Sequence, residues 1–311
     1  MNPKVYFYTD EEVGVPWPGP DADRGGYKDL KEPRFNWCEF PGFDVTENPK
    51  QADIFVVRQR LSWLTDEQLE GLPHRTPRNI GRHVFFDLAD NFHLYPIEGA
   101  MQFRGCADLK MVIEQPSIIP TPWPTEDFGH LTTDGGWEYD VVFQGQHNEL
   151  ADRAMESCVQ AGLKCDFHPL EEFWPHIRNK DWDRGMKLWD SFRENIRGGR
   201  LSLCPRTLDR GVIRYRLYEA MSMKRMSVLI CDECMLPFPK SLDWDRCLIN
   251  IWEREVDDTG WILENWLADH SDKGLIRRGD YARSMWLQYL DRRQYGEMIA
   301  RKVKEVIGAG D

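Results

Sequence analysis

Residues 200–225 read RLSLCPRTLDRGVIRYRLYEAMSMKR, and residues 226–232 continue as MSVLICD. RLSLCPR (200–206) is a short apolar run of the kind that predicts a β-strand. In 212–224, Ile213, Leu217, Ala220 and Met221 recur at i, i+4, i+7 and i+8, which is one apolar face of a helix. MSVLICD predicts a second strand. Strand, helix and strand in this order form a βαβ unit, and such units build parallel sheets with helices on their faces.

The same alternation extends in both directions. Upstream, strands are predicted at YDVVFQG (139–145) and LKCDFHP (163–169), with helices over 148–162, ending at Gly162, and over 182–196. Downstream come a strand at CLINIW (247–252) and helices at about 257–268, 279–291 and 293–307. The N-terminal part repeats the pattern with VYFYT (5–9), ADIFVVR (52–58), RHVFFDLAD (82–90) and LKMVIEQP (109–116) as strands. A helix is expected over 65–71, where Thr65 is an N-cap with acids in the first turn. Residues 16–37 and 116–137 are rich in Pro, Gly and Asp and read as long loops, the second of them a domain boundary. Two Rossmann-like domains follow, residues 1–135 and 136–292, with a terminal helical segment over 293–311.

Composition narrows the function. The chain has 311 residues, 41% hydrophobic and 30% charged, with 13 Trp, 15 Phe and 10 Tyr, enough for a large core and far from a disordered composition. Acids outnumber bases 52 to 40, and a net charge of −12 repels phosphate backbones, which argues against general nucleic-acid or anionic-membrane binding. No signal peptide, anchor or spanning segment is visible, so a cytoplasmic location is the expectation. Of eight cysteines, Cys231 and Cys234 have CxxC spacing. Disulfides are not expected in a cytoplasmic chain, so these read as buried free thiols, with zinc or redox chemistry as lesser readings.

Against that acidic background, residues 200–216 hold five arginines (200, 206, 210, 214 and 216) and one acid, Asp209. They cluster at a strand-to-helix junction, where unpaired N–H groups and the helix dipole favour a phosphate or diphosphate. A salt-bridged surface helix start would look the same by composition. Arg216 and Glu219 lie three apart. Glu219 could accept two ribose hydroxyls, as acids do in dinucleotide folds, or could simply pair with Arg216 along the helix.

Residues 201–253 resemble the donor-binding half of the exostosin-like glycosyltransferases. The features carrying the resemblance are a strand ending in Cys-Pro-Arg (204–206), a helix with Arg-Leu-x-Glu-Ala (216–220), a β-run ending in Asp232, then Leu-Pro-Phe (236–238) and Asp-Trp (243–244). Fainter echoes are ADIFVVRQ, NIGRHVFFDLADNF and YDVVFQGQ, while residues 15–40 show none. Two departures stand out. The glycine that follows Cys-Pro-Arg in that family is Thr207 here, and its Gly-Cys-Ile-Pro-Val run is Lys224-Arg225-Met226-Ser227-Val228. Both touch loops around the donor, so the resemblance leaves donor identity open.

The resemblance implies a GT-B fold: two Rossmann-like domains facing across a cleft, the nucleotide-sugar on the second, the acceptor mainly on the first, and the last helix crossing back to the first. It implies transfer to an acceptor hydroxyl with inversion and without an essential metal, the nucleotide-sugar being a co-substrate and no further cofactor being required. Asp-x-Asp spacings at 21–23, 181–183 and 243–245 are no more than 52 acids produce by chance. The implied leaving-group clamp is Arg206, helped by Arg210 and Arg214, with Glu219 on the ribose. Asp232 and Glu233 would line the sugar pocket, and Gly145, Gln146 and His147 would face the diphosphate or sugar. For the base, Asp90 is favoured, with Asp10 and His93 as alternatives, since each follows or neighbours a strand end. Trp17, Trp37, Trp63, Trp123 and Trp137 could offer stacking faces to an acceptor or fill the core. The competing readings are a catalytically degenerate nucleotide-binding scaffold and a sugar-binding protein without turnover.

Overall fold

Strands buried on both faces need helices on both sides, and several runs here are buried throughout. The computed structural model describes residues 2–16, 40–87, 93–122, 125, 127–170, 182–207, 212–213 and 215–308. The first part of the chain forms β1 (Lys4–Phe7), α1 (Asp10–Val13), β2 (Asp44–Val45), β3 (Ile54–Arg60), α2 (Asp66–Glu70), β4 (His83–Asp87), β5 (Met101–Arg104), α3 (Leu109–Glu114) and β6 (Ile118–Pro120). Next come β7 (Tyr139–Gln146), α4 (Glu149–Gln160), β8 (Cys165–Leu170), α5 (Trp182–Gly198), β9 (Gly199–Pro205), α6 (Tyr215–Ser222) and β10 (Met226–Ile230). The chain closes with β11 (Leu248–Ile251), α7 (Thr259–Ala268), α8 (Asp272–Met285) and α9 (Tyr295–Ile307). Among the described residues no helix is long and apolar enough to cross a membrane.

The chain divides into two compact units. One comprises Met1–Pro124, Met235–Phe238 and Arg292–Asp311, the other Thr125–Cys234 and Pro239–Asp291. Each holds one sheet, ordered β2-β1-β3-β4-β5-β6 in the first and β11-β10-β9-β7-β8 in the second. Every pairing within these sheets is parallel. The fold is therefore α/β with two Rossmann-like units, as the alternating runs predict. In both sheets the chain first steps to one side and then crosses to the other. The reversal falls between β1 and β3 in the first sheet and between β7 and β9 in the second. Open α/β sheets bind ligands at such points, outside the carboxyl ends of the strands.

β4 and β10 are buried along their whole length. In the second unit Val141, Leu201, Leu203, Val228 and Ile230 pack against Leu150, Ala154, Met155 and Cys158 of α4 and Leu263 of α7. In the first unit Tyr8, Phe55, Val57 and Phe85 pack with Leu61, Leu69 and Ile97. Each such side chain contributes roughly 1.5–3 kcal/mol when fully buried. This first core also encloses His83. Its Nδ1 lies 3.0 Å from the Asn79 carbonyl and so carries the proton, leaving Nε2 to accept from the Tyr8 hydroxyl at 2.9 Å. Burial holds its pKa down at about 4.

One predicted strand is a helix. LKMVIE forms α3, because the Asp108 carboxylate caps the Met111 N–H at 2.8 Å and Lys110 pairs with Glu114 one turn on. The strands in this region are β5 and β6. β5 (MQFR) escapes a hydrophobicity reading because Gln102 and Arg104 are buried in it. Arg104 meets Asp87 at 3.4 Å, both 1% exposed. The loop read at 16–37, together with Trp17, Trp37 and Trp123, lies outside the described residues or nearly so, since only residue 16 of that loop is described.

Candidate functional site

A cavity of about 280 Å³ opens at the switch point of the second sheet, between the carboxyl ends of β7 and β9. Gln144, Gly145 and Gln146 reach it along β7, followed by His147 and Asn148. From β9 come Cys204 and Pro205, followed by Thr207. Trp189 and Phe192 of α5 and Tyr215, Arg216, Leu217 and Glu219 of α6 complete the wall. Asn148 is also the N-cap of α4, accepting from the Leu150 N–H at 2.9 Å. Its amide donates to the Arg206 carbonyl at 2.7 Å, which ties the two strand ends together. Thr207 pairs with Val212 through its backbone and so brings the chain back toward α6.

Arg216 is the chemical centre of this wall. It is 7% exposed, on a helix whose residues 216–222 are all buried. Its guanidinium lies 4.9 Å from the Phe143 ring centroid and 4.4 Å from that of Phe192, a cation between two aromatic rings. Nη1 donates to the Ser202 hydroxyl at 3.4 Å. Nη2 is buried and has no hydrogen-bond partner among the described residues. Burial lowers the Arg216 pKa to about 10, against the opposing pull of Cys204 and Glu219, so the group stays charged near neutral pH. A buried cation with an open donor is costly unless something negative or strongly accepting meets it. Glu219, 3% exposed, lies one turn on and lines the same cavity. Gly145 serves this arrangement through Phe143. A Cβ at 145 would come within 3.1 Å of the Phe143 ring, which holds Arg216.

The cavity thus brings together four of the residues singled out in the sequence: Gly145, Gln146, His147 and Glu219. The exposed His147 imidazole pairs with Asp152 of α4 at 2.7 Å. Arg206 flanks the cavity between Pro205 and Thr207, and its side chain pairs with Glu253 at 2.6 Å. Asp232 is exposed and accepts the Glu253 N–H at 2.8 Å, while Glu233 is exposed on the same turn. Asp10 belongs to the first unit and accepts from the Gln59 amide at 3.0 Å, joining the ends of β1 and β3 at that sheet's own switch point. His93 is 3.5 Å from Asp66 in that unit. Asp90, Arg210 and Arg214 lie outside the described residues.

Cys231 and Cys234 are not free thiols, as the sequence reading held, but form a disulfide. The turn after β10 brings their Cα atoms to 5.8 Å, within bridging range, and this local geometry decides the pairing where the compartment argument could not. Cys158, Cys204 and Cys247 are buried free thiols. No group of three or more His, Cys, Asp or Glu among the described residues could hold a metal ion.

Arg216 and Glu253 were missed as site residues. The signal for Arg216 was present in its place among the five arginines at the strand-to-helix junction.

Sequence comparison finds no matching family and no matching curated protein. Structural comparison does find matches. A glycosyltransferase from Rickettsia africae ESF-5 superposes with a TM-score of 0.51 over 100% of both chains at 9% identity. Anabaena HepE, solved in complex with UDP-glucose, gives 0.42 over 98% of this chain and 100% of that one, at 11% identity. The first match establishes a shared fold.

Proposed function

We propose that the protein is a glycosyltransferase that moves a sugar from a nucleotide-sugar to an acceptor hydroxyl. The observation that carries this reading is the buried Arg216 cation, held between Phe143 and Phe192 with Nη2 open, beside Glu219 in a cavity at the switch point. An anionic ligand with an aromatic base and a diol suits that wall. Arg216 would meet negative charge, Glu219 the ribose hydroxyls, and the aromatic rings the base. The shared fold with a glycosyltransferase and the exostosin-like motifs over 201–253 support the same conclusion.

In this reading the acceptor oxygen attacks the anomeric carbon as the bond to the diphosphate breaks. The diphosphate leaves with the electron pair, and the acceptor proton passes to a carboxylate, Asp10 or Asp90. Direct attack inverts the anomeric centre. Arg216 and Arg206 supply the fixed positive charge that stabilises the leaving group, so no divalent ion is required. A glycan or other hydroxyl acceptor completes the proposal.

The test is a thermal-shift panel of UDP, GDP, ADP, CDP and dTDP with wild type and Glu219→Ala. One nucleotide should stabilise the wild type, by about 2.7 kcal/mol at a hundred times its Kd, and the variant much less. No shift with any of the five refutes the reading. Release of that nucleotide from its sugar conjugate then separates a working enzyme from a degenerate binder.

A further inference from the structure

Three neighbouring strand ends of the second sheet converge on one carboxylate. Arg206 follows β9, Asp232 lies beyond β10, and Glu253 lies beyond β11. Glu253 Oε1 accepts from Arg206 Nε at 2.6 Å and from the Asp232 N–H at 3.4 Å. The Glu253 N–H donates in return to Asp232 Oδ1 at 2.8 Å. The Cys231–Cys234 disulfide closes the turn that carries Asp232. The Arg206 backbone is fixed as well, its N–H donating to the Ile230 carbonyl at 2.9 Å and its carbonyl accepting from Asn148 at 2.7 Å. Arg206 therefore stands between two cavity-lining residues with both backbone and side chain held.

We propose that Glu253 is a positioning residue for donor binding, fixing the side chain of Arg206, whose two chain neighbours line the cavity, for contact with the diphosphate of a ligand held there. The inference rests on the reading of that cavity as a nucleotide-sugar site. An arginine on a free stem loses rotamer freedom when it meets a ligand, and one already fixed through Nε loses less. The Arg206 and Glu253 side chains are 24% and 21% exposed, so their attraction is only partly screened by water. A purely structural tie between the β10 and β11 loops would act on every ligand alike. A positioning role acts on the phosphates alone.

The probes are the nucleoside diphosphate that best stabilises the wild type and its parent nucleoside. Affinities are measured by calorimetry for wild type, Glu253→Gln, Glu253→Ala, Arg206→Ala and the double variant Arg206→Ala/Glu253→Ala. Glu253→Ala should weaken the diphosphate about fivefold, the scale of a partly exposed ion pair, and leave the nucleoside unchanged. Glu253→Gln, which keeps an accepting oxygen, should recover part of the loss. In the Arg206→Ala background, removing Glu253 should have no further effect. Equal weakening of nucleoside and diphosphate, or an undiminished loss without Arg206, overturns the proposal. A wild type that binds neither probe overturns the cavity reading and this inference with it. A wild type that binds both beside an unaltered Glu253→Ala overturns this inference alone.

Discussion

Replacing Arg216 with methionine should leave the stability of the ligand-free protein close to wild type while abolishing nucleotide binding. Methionine fills a similar slot between Phe143 and Phe192 without charge. Burial lowers the Arg216 pKa from the ordinary arginine value to about 10, and at about 1.4 kcal/mol per pH unit the charged form costs about 3 kcal/mol. A ring facing a desolvated guanidinium is worth up to about 2 kcal/mol, so Phe143 and Phe192 together offset most or all of that cost, and the 3.4 Å bond to Ser202 adds little. The net change for methionine therefore lies within about 1 kcal/mol of zero, or roughly 2–4 °C in Tm for a unit of this size. The sign with pH follows from a base whose folded pKa is depressed. Below about 10 both states are protonated and the cost is complete, and it is relieved only as pH rises above about 10 toward the ordinary arginine value. Scans near neutral pH therefore see all of it. The assay is thermal unfolding of wild type and Arg216→Met, with and without the stabilising nucleoside diphosphate. A ligand-free Tm several degrees below wild type, or a nucleotide shift equal to wild type, refutes the reasoning.

Two other outcomes follow from the packing. His83 is held neutral in the fold with a pKa of about 4, so the unfolded chain takes up its proton first as pH falls. Stability should be full above pH about 6.5 and fall by about 3 kcal/mol on the way to pH 4, and His83→Gln should flatten this slope in a urea titration; parallel slopes would dismiss the assignment. Gly260→Ala places a Cβ 2.1 Å from the Ser157 carbonyl oxygen and 2.9 Å from the Ala161 Cβ, forcing α7 off α4. Overpacking of this kind costs about 1–3 kcal/mol and should lower Tm by about 8 °C; an unchanged Tm means the helices part more easily than their contact implies.

The parallel α/β organisation was legible because its strands are apolar runs and its helices carry 3.6-residue periodicity. LKMVIE was not, because its hydrophobic content suits either element and Asp108, which decides, lies just before it. β5 was hidden by Gln102 and Arg104, whose burial depends on partners elsewhere in the chain, such as Asp87. In the site, Glu219 and the 145–147 loop were found from residue type and position. Arg216 was counted in the arginine cluster and as a possible partner of Glu219 but not given a place in the site, because pattern alone does not reveal rings that lie 24 and 73 residues away in the chain. Glu253 reaches Arg206 across 47 residues through a sheet order that no local window contains.

The helix α9 packs with the first unit, although nearly the whole second unit lies between them in the chain. Lys304 lies over the Phe43 ring at 5.6 Å, and Tyr295, Met298, Ile299, Ala300 and Val303 are buried. Emergence from the ribosome therefore reverses the order of completion. The sheet made first must wait, with this part of its surface uncovered, until residues 292–311 are synthesised, while the second unit has almost all it needs earlier. Nascent chains stalled before residue 292 would be a natural substrate for chaperones on their N-terminal half.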